Sequence, residues 1–219
     1  MLKGVTAKRG GYGQYCGFAR ALEIVGERWA MLVIRDLFVG PKRFSDLHRG
    51  LPKIPSNILT ARLKELEENG IVQRRAAPRP ASGVVYELTD AGRELERTVV
   101  ALGQWGAKRL GDPREGEIVT EDSLAMAMRT TFRPDEAKND TVGYEVRVGD
   151  IVFHANVDRG NVTVGRGALE HPDLIIEATP ALRQLMAREV TPQQALKTGI
   201  VSIRGPRKLL DRFAATFQI

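Results

Sequence analysis

The sequence predicts two units of different class, a mainly α unit followed by an α+β unit. Three observations carry the prediction. Up to about Leu110 the apolar residues recur at helical spacing, interrupted by one pair of strand-like runs. A Gly- and Pro-containing stretch, Gly111-Asp112-Pro113-Arg114-Glu115-Gly116, then breaks the pattern. Beyond it strand-like and helical runs alternate, as in an α+β domain. The 219 residues suffice for two medium domains. The expected division is residues 1–110, a linker at 111–116, and residues 117–219.

Phe18, Leu22, Val25, Trp29 and Leu32 follow helical spacing, and Gly26 is expected to split that stretch into two helices. Gly40-Pro41 ends the second. Phe44, Leu47 and Leu51 mark a short third helix closed by Pro52. Pro55 to Asn69 is the clearest helix, with Pro55 suited to a first turn, Gly70 just past the end, and Leu59, Leu63 and Leu66 as the buried stripe. Ile71–Arg74 and Val84–Leu88 read as a hairpin whose long tip runs from Ala77 to Gly83. Thr89 or Asp90 caps a following helix on which Leu95, Val99, Leu102 and Trp105 keep helical spacing.

In the second half a helix is predicted over Asp122–Thr130. Strands are predicted at Gly143–Val148, Ile151–Asn156, Asn161–Val164 and Asp173–Glu177. Helices at Pro180–Ala187 and Pro192–Lys197, a strand at Ile200–Arg204 and a helix from Pro206 to about Phe217 complete it.

Composition excludes several classes. The longest apolar run, Trp29 to Ile34, is too short to span a bilayer, so no membrane association is expected. Residues 1–10 are basic without an apolar core, which argues against a signal peptide. The single cysteine, Cys16, rules out an internal disulfide framework and a Cys-cluster zinc site. The expected location is the cytoplasm. His48, His154 and His171 lack metal-binding spacing, and no G-x-S-x-G elbow or P-loop is present. No metal, cofactor or enzymatic activity is expected.

Charge is unevenly spread. Residues 1–110 carry 19 Lys/Arg against 11 Asp/Glu, and residues 111–219 carry 14 against 16. A basic half concentrates polyanions, of which nucleic acid is the commonest. Three short helices and a hairpin form a winged helix-turn-helix, which sets one helix in the DNA major groove. On the Pro55–Asn69 helix the face away from the leucines carries Ser56, Asn57, Thr60, Ala61 and Lys64, and Asn pairs with adenine edges. Arg79 at the hairpin tip, with Arg74 and Arg75 at its base, suits phosphate or minor-groove contact, and Lys42 and Arg43 flank the third helix. The bland alternative is that Ser56 and Asn57 cap the helix, Lys64 pairs with Glu68, and the arginines keep the wing solvated. Taken together with the charge, double-stranded DNA is the expected partner.

Residues from about Cys16 to Leu110 resemble the HxlR-type regulators, a bacterial branch of the winged-helix fold related to MarR proteins. The resemblance is carried by Val25-Gly26-Glu27-Arg28-Trp29, Arg43-Phe44-Ser45-Asp46-Leu47, Leu59-Thr60-Ala61-Arg62-Leu63-Lys64-Glu65-Leu66-Glu67, Gly70, Arg74, Val84, Tyr86, Leu88, Thr89 and Gly92. It implies sequence-specific DNA binding as a homodimer, often as a repressor, with dimer contacts near Cys16–Val25 and Leu95–Leu110. Pro55 departs from the serine the family often has there. Cys16 falls where many members have a cysteine, which in some senses oxidants or electrophiles. It is thus a candidate redox sensor, weighed against a small, buried, inert thiol, the reading preferred here.

The second half is similar to the sterol carrier protein fold. The matching residues are Pro172-Asp173-Leu174-Ile175-Ile176-Glu177-Ala178-Thr179-Pro180, Leu182, Leu185-Met186, Thr191-Pro192-Gln193-Gln194-Ala195-Leu196, Gly199 and Ile203. The resemblance implies an apolar cavity lined by Leu124, Met128, Phe132, Phe153, Leu182, Met186, Phe213 and Phe217, open to a small apolar or lipid-like effector. The bland alternative is an ordinary core. The functional expectation is a DNA-binding transcriptional regulator controlled by such a ligand. The alternative is a lipid or small-molecule carrier whose basic half is a docking module.

Overall fold

The computed structural model describes residues 11–77, 82–111 and 114–219. Arg79, at the predicted wing tip, and Asp112 and Pro113, in the predicted linker, lie outside the described residues. Two compact units divide between Val99 and Val100.

In the first unit α1 (Gly17–Val25) stops at Gly26, as its sequence predicts. The chain re-enters a helix only at α2 (Ala30–Phe38), after Trp29 takes a left-handed φ of 81°. That break changes the phase of the apolar pattern. Phe18 and Leu32, both on the helical apolar spacing, are exposed, while Ala19, Ala30, Val33, Ile34 and Leu37 are buried. Helix α3 (Phe44–Gly50) buries Leu47, and Leu51 and Ile54 fill the turn that follows. Helix α4 (Ser56–Glu68) buries Leu59, Leu63 and Leu66 as predicted. Pro55 is its N-cap rather than its first-turn residue and supplies no side-chain hydrogen bond there. Gly70, at φ 70°, takes the left-handed turn beyond it that a β-carbon would oppose.

The wing is the antiparallel pair β1 (Val72–Ala76) and β2 (Val84–Leu88). A third segment joins it at one point, because the Lys42 amide donates to the Tyr86 carbonyl at 2.9 Å and the Tyr86 amide returns a bond at 2.7 Å. The single helix predicted after Thr89 is two, α5 (Asp90–Arg93) and α6 (Glu96–Ala107). The Thr89 hydroxyl accepts from the Gly92 amide at 3.1 Å, an N-cap that fixes where α5 begins. On α6 Val99 is buried, but Leu102 and Trp105 are exposed.

The second unit begins within α6, at Val100, and continues with α7 (Glu121–Thr131), started by a reciprocal cap between Thr120 and Ser123. Its sheet comprises β3 (Thr141–Val148), β4 (Ile151–Asp158), β5 (Asn161–Arg166), β6 (Leu174–Ala178) and β7 (Val201–Arg204), in the order β5-β4-β3-β6-β7. All neighbours are antiparallel except β3 and β6. Short helices α8 (Leu182–Met186) and α9 (Pro192–Lys197) precede β7, and α10 (Arg207–Thr216) follows it. The predicted α+β class is observed. Register follows the alternation on β3: Tyr144 and Val146 face the core. Glu145 faces the other way, where it accepts bonds from Arg147 at 2.7 Å and from the Leu169 amide at 2.9 Å.

No helix among the described residues is long and apolar enough to cross a membrane. No group of three or more His, Cys, Asp or Glu among them is placed to hold a metal ion.

Candidate nucleic-acid interface

Helix α4 presents two chemically different faces. Inward lie Leu59, Leu63 and Leu66, and Arg62, which is buried and reaches Glu27 at 3.5 Å and also pairs with Glu65. Outward lie Ser56, Asn57, Thr60 and Lys64, all exposed. Ser56, Thr60 and Lys64 share one row at i, i+4 and i+8, with Asn57 beside it. The Thr60 hydroxyl donates to the Ser56 carbonyl at 2.9 Å, so that donor is engaged within the helix while the oxygen can still accept. Small side chains at the start of the row leave room for a base edge to approach the backbone.

The basic residues are partly paired. Lys64 lies 3.8 Å from Glu68, Arg74 donates to Glu67 at 2.9 Å, and Arg75 lies 3.2 Å from Glu87. The hydrogen bond to Glu67 holds the Arg74 guanidinium even more firmly protonated than usual. These partners are what the bland reading expects of a solvated surface. They do not remove the residues from a nucleic-acid face. The Lys64–Glu68 and Arg74–Glu67 pairs are open to solvent, and an exposed ion pair is worth roughly 0.2–1 kcal/mol, so their exchange for a phosphate costs little, whereas Arg75 is held by the buried Glu87. Arg43 is exposed, and its amide donates to the Asp46 carboxylate at 3.1 Å at the start of α3.

Lys42 is a correction. It is only 3% exposed, because its backbone is drawn into the bridge with Tyr86. A buried ammonium cannot be offered to a duplex without unfolding that bridge, so Lys42 leaves the contact set. Sequence reasoning also passed over Ser45, His48 and Arg49 on α3. With Phe44 and Ser56 they line a shallow depression of about 450 Å³. Their signal was spacing: i, i+3 and i+4 on the face opposite Leu47.

Cys16 is exposed, not the buried thiol preferred from sequence. It is the N-cap residue of α1, and the nearby Ala19 and Phe18 backbone amides at the helix start lower its pKa by favouring the thiolate.

In the second unit, the residues proposed as cavity lining are packed together. Met128, Phe153, Leu182, Met186, Phe213 and Phe217 are buried in one cluster, with Leu124 and Phe132 packed against it. Phe213 and Phe217 lie 5.0 Å apart between ring centroids, and Phe132 and Phe217 lie 5.8 Å apart. A shallow depression of this unit lies along Leu185, Val190, Pro192, Ala214 and Ala215. Two hydroxyls inside the unit, Tyr144 Oη and Thr216 Oγ1, are buried with no hydrogen-bond partner. Burial pushes the Tyr144 phenol well above its ordinary pKa.

Comparison with known proteins bears on the first unit. The HxlR-like helix-turn-helix family profile matches residues 24–113. An uncharacterized HTH-type transcriptional regulator of Mycobacterium tuberculosis is 44% identical over 94 residues, 43% of this chain and 59% of that protein. The chain therefore spans under two thirds of that relative's length. The HTH-type transcriptional regulator YodB of Bacillus subtilis is 37% identical over 102 residues, 47% of this chain and 88% of YodB. The B. subtilis HTH-type regulator YkvN is 36% identical over 113 residues, 50% of this chain and 96% of YkvN. A crystal structure of the HTH-type regulator ytcD is 34% identical, with a TM-score of 0.41 over 44% of this chain and 99% of that one. The three relatives are named as regulators of transcription and none as an enzyme. The chain belongs to the HxlR-like helix-turn-helix family.

Proposed function

We propose that the protein is a homodimeric, sequence-specific DNA-binding transcriptional regulator that acts as a repressor in the cytoplasm. One observation carries the reading. Helix α4 follows α3 and a short turn, and it exposes Ser56, Asn57, Thr60 and Lys64 opposite a fully buried leucine stripe. That is the arrangement that lets a helix enter a major groove without unpacking. Asn57 reads a base edge, Ser56 and Thr60 sit against the groove, and Lys64, Arg43, Arg74, Arg75 and Arg79 meet the backbone. The exposed apolar side chains Phe18 on α1 and Leu102 and Trp105 on α6 support a dimer, since water-exposed apolar area of this kind is what an interface covers.

The C-terminal unit, with a sterol-carrier-like fold, is the proposed site of control by a small apolar or amphipathic ligand. Its supporting observation is the pair of buried hydroxyls, Tyr144 and Thr216, left without partners. Leaving such a group unpaired costs about 1–3 kcal/mol, which a ligand's polar atom or a water would recover. Ligand binding would favour one dimer arrangement and shift the spacing of the two recognition helices. A second input is Cys16, favoured by its exposure and its lowered pKa. Addition of a soft electrophile to its thiolate would load α1, where dimer contacts are proposed.

The test is selection of bound duplexes from a random pool at moderate salt, where phosphate contacts alone do not hold any sequence. An enriched inverted repeat is the expected result. No enrichment from folded protein contradicts the reading and leaves a ligand carrier with a docking module.

A further inference from the structure

The shallow depression of the second unit is lined differently from the packed aromatic cluster. It lies between α10 and the chain that joins α8 to α9, over a floor of Leu185, Val190, Ala214 and Ala215. On α10 Asp211, Ala214 and Ala215 share one face at i, i+3 and i+4, and the two alanines leave open the space that longer side chains would fill. The volume is about 380 Å³, within the roughly 300–1,000 Å³ of small-molecule sites.

Each side of the depression offers one charge. Arg188 comes from the turn after α8, and Asp211 comes from α10. Both are exposed, and among the described residues neither is engaged in an ion pair or a side-chain hydrogen bond, with the other or elsewhere. Arg188 also takes a left-handed φ of 58°, directly after Ala187, the C-cap of α8. Glycine fills such a position without strain, so folding alone favours glycine there. The chain carries a guanidinium instead, at the rim of an apolar depression.

We propose that this depression binds a free α-amino acid with an apolar side chain, its carboxylate on Arg188, its ammonium on Asp211 and its side chain against the alanines. The inference rests on the reading of the second unit as the ligand-binding one, and it gives that ligand a class and a place outside the aromatic cluster. The two unpaired charges select the occupant. A fatty acid would satisfy Arg188 but set its own charge beside Asp211. A hydrocarbon would cover both charges and pair neither. A zwitterion of amino-acid size pairs both while its side chain covers the floor.

The experiment titrates the full chain with L-leucine by calorimetry. Beside it are isocaproate, which lacks the ammonium, isoamylamine, which lacks the carboxylate, and free glycine, which lacks the side chain. Leucine is expected to bind with a Kd on the order of 0.1–1 mM, and the other three about tenfold or more weaker. Arg188→Gln and Asp211→Asn should each weaken leucine about tenfold, and Asp211→Asn should strengthen isocaproate. Ala214→Leu should fill the depression and abolish binding in a protein that still folds. Leucine bound no better than its three analogues, or equally by all variants, overturns the site. Self-association that Arg188→Gln breaks, without leucine binding, overturns it in favour of a second copy on this face. Leucine binding that leaves duplex affinity unchanged upholds the site and contradicts ligand control of DNA binding. A lipid whose binding needs Tyr144 and not Arg188 does the reverse, overturning the site and leaving the second unit a ligand binder.

Discussion

On α4 the leucines are buried and Ser56, Asn57, Thr60 and Lys64 stand in water. In the sheet unit Met128, Phe153, Phe213 and Phe217 are buried together, ring against ring. The two regions carry their proposed functions in opposite ways. A face that reads DNA consists of side chains that need not be there for folding, so a polar row opposite an apolar stripe is visible as a surplus. A ligand cavity consists of space that side chains do not fill. The residues that would border it are of the types that would also fill it, and sequence gives no sign of which outcome packing chooses.

This contrast can be broken or sharpened by substitution. The largest effects should come from the two cores. Leu63→Ala under α4 is expected to cost about 2–5 kcal/mol, and Phe213→Ala in the sheet unit about 3–5 kcal/mol. Calorimetry of each variant should show that Leu63→Ala abolishes duplex binding, while Phe213→Ala lowers the sheet unit's transition. If Phe213→Ala is nearly silent, the phenylalanine borders a void, and the ligand reading gains what the packing denies it.

Next come the helix caps. Thr89→Ala removes the acceptor for the Gly92 amide, and Thr120→Ala removes that for Ser123. Each should cost about 1 kcal/mol, seen as a lower Tm. Thr89→Ala should also weaken DNA binding if α5 supports the wing, whereas Thr120→Ala should leave it unchanged.

Tyr144→Phe removes a buried hydroxyl that has no partner. Ligand-free protein should gain up to about 1 kcal/mol. The phenol's folded pKa is raised, so above about pH 10 the unfolded chain sheds a proton that the folded one keeps. The wild type should therefore lose stability faster than Tyr144→Phe as pH climbs past that point. Equal slopes in alkaline denaturation would contradict the burial argument. A Tyr144→Phe protein less stable than wild type, with a copurified molecule lost, would instead place a ligand on that hydroxyl. The smallest effect belongs to Lys64→Gln, which should lower the salt slope of DNA binding by up to about one without changing the preferred sequence.

Much of the fold was legible because its signals are local. Gly26, Gly70 and the Thr191-Pro192-Gln193-Gln194 start of α9 each fix a helix end through backbone geometry or a cap, and each lies where expected. The errors are those where a distant contact decides. Leu32 keeps the helical spacing of the stretch before it and is exposed, because the left-handed Trp29 sets the phase of α2 anew. Lys42 has a surface residue's chemistry, yet pairing with Tyr86, far along the chain, buries it. The helix after Thr89 breaks before Glu96, although its apolar spacing runs on unbroken. For the candidate site, α4 was readable because stripe and polar row share one helix. The depression on α3 was not, because it exists only where α3 and α4 fold against each other.

The central claim is that the outward face of α4 reads sequence. Its most direct test is duplex selection repeated side by side with the wild type and Asn57→Ala, both checked for native folding. The account predicts one enriched inverted repeat, with Asn57→Ala losing preference at a single position of each half-site, a discrimination of about 1–3 kcal/mol. Enrichment of the same sequence with undiminished preference at every position would show that Asn57 touches no base and contradict the assignment of α4 as the reading helix.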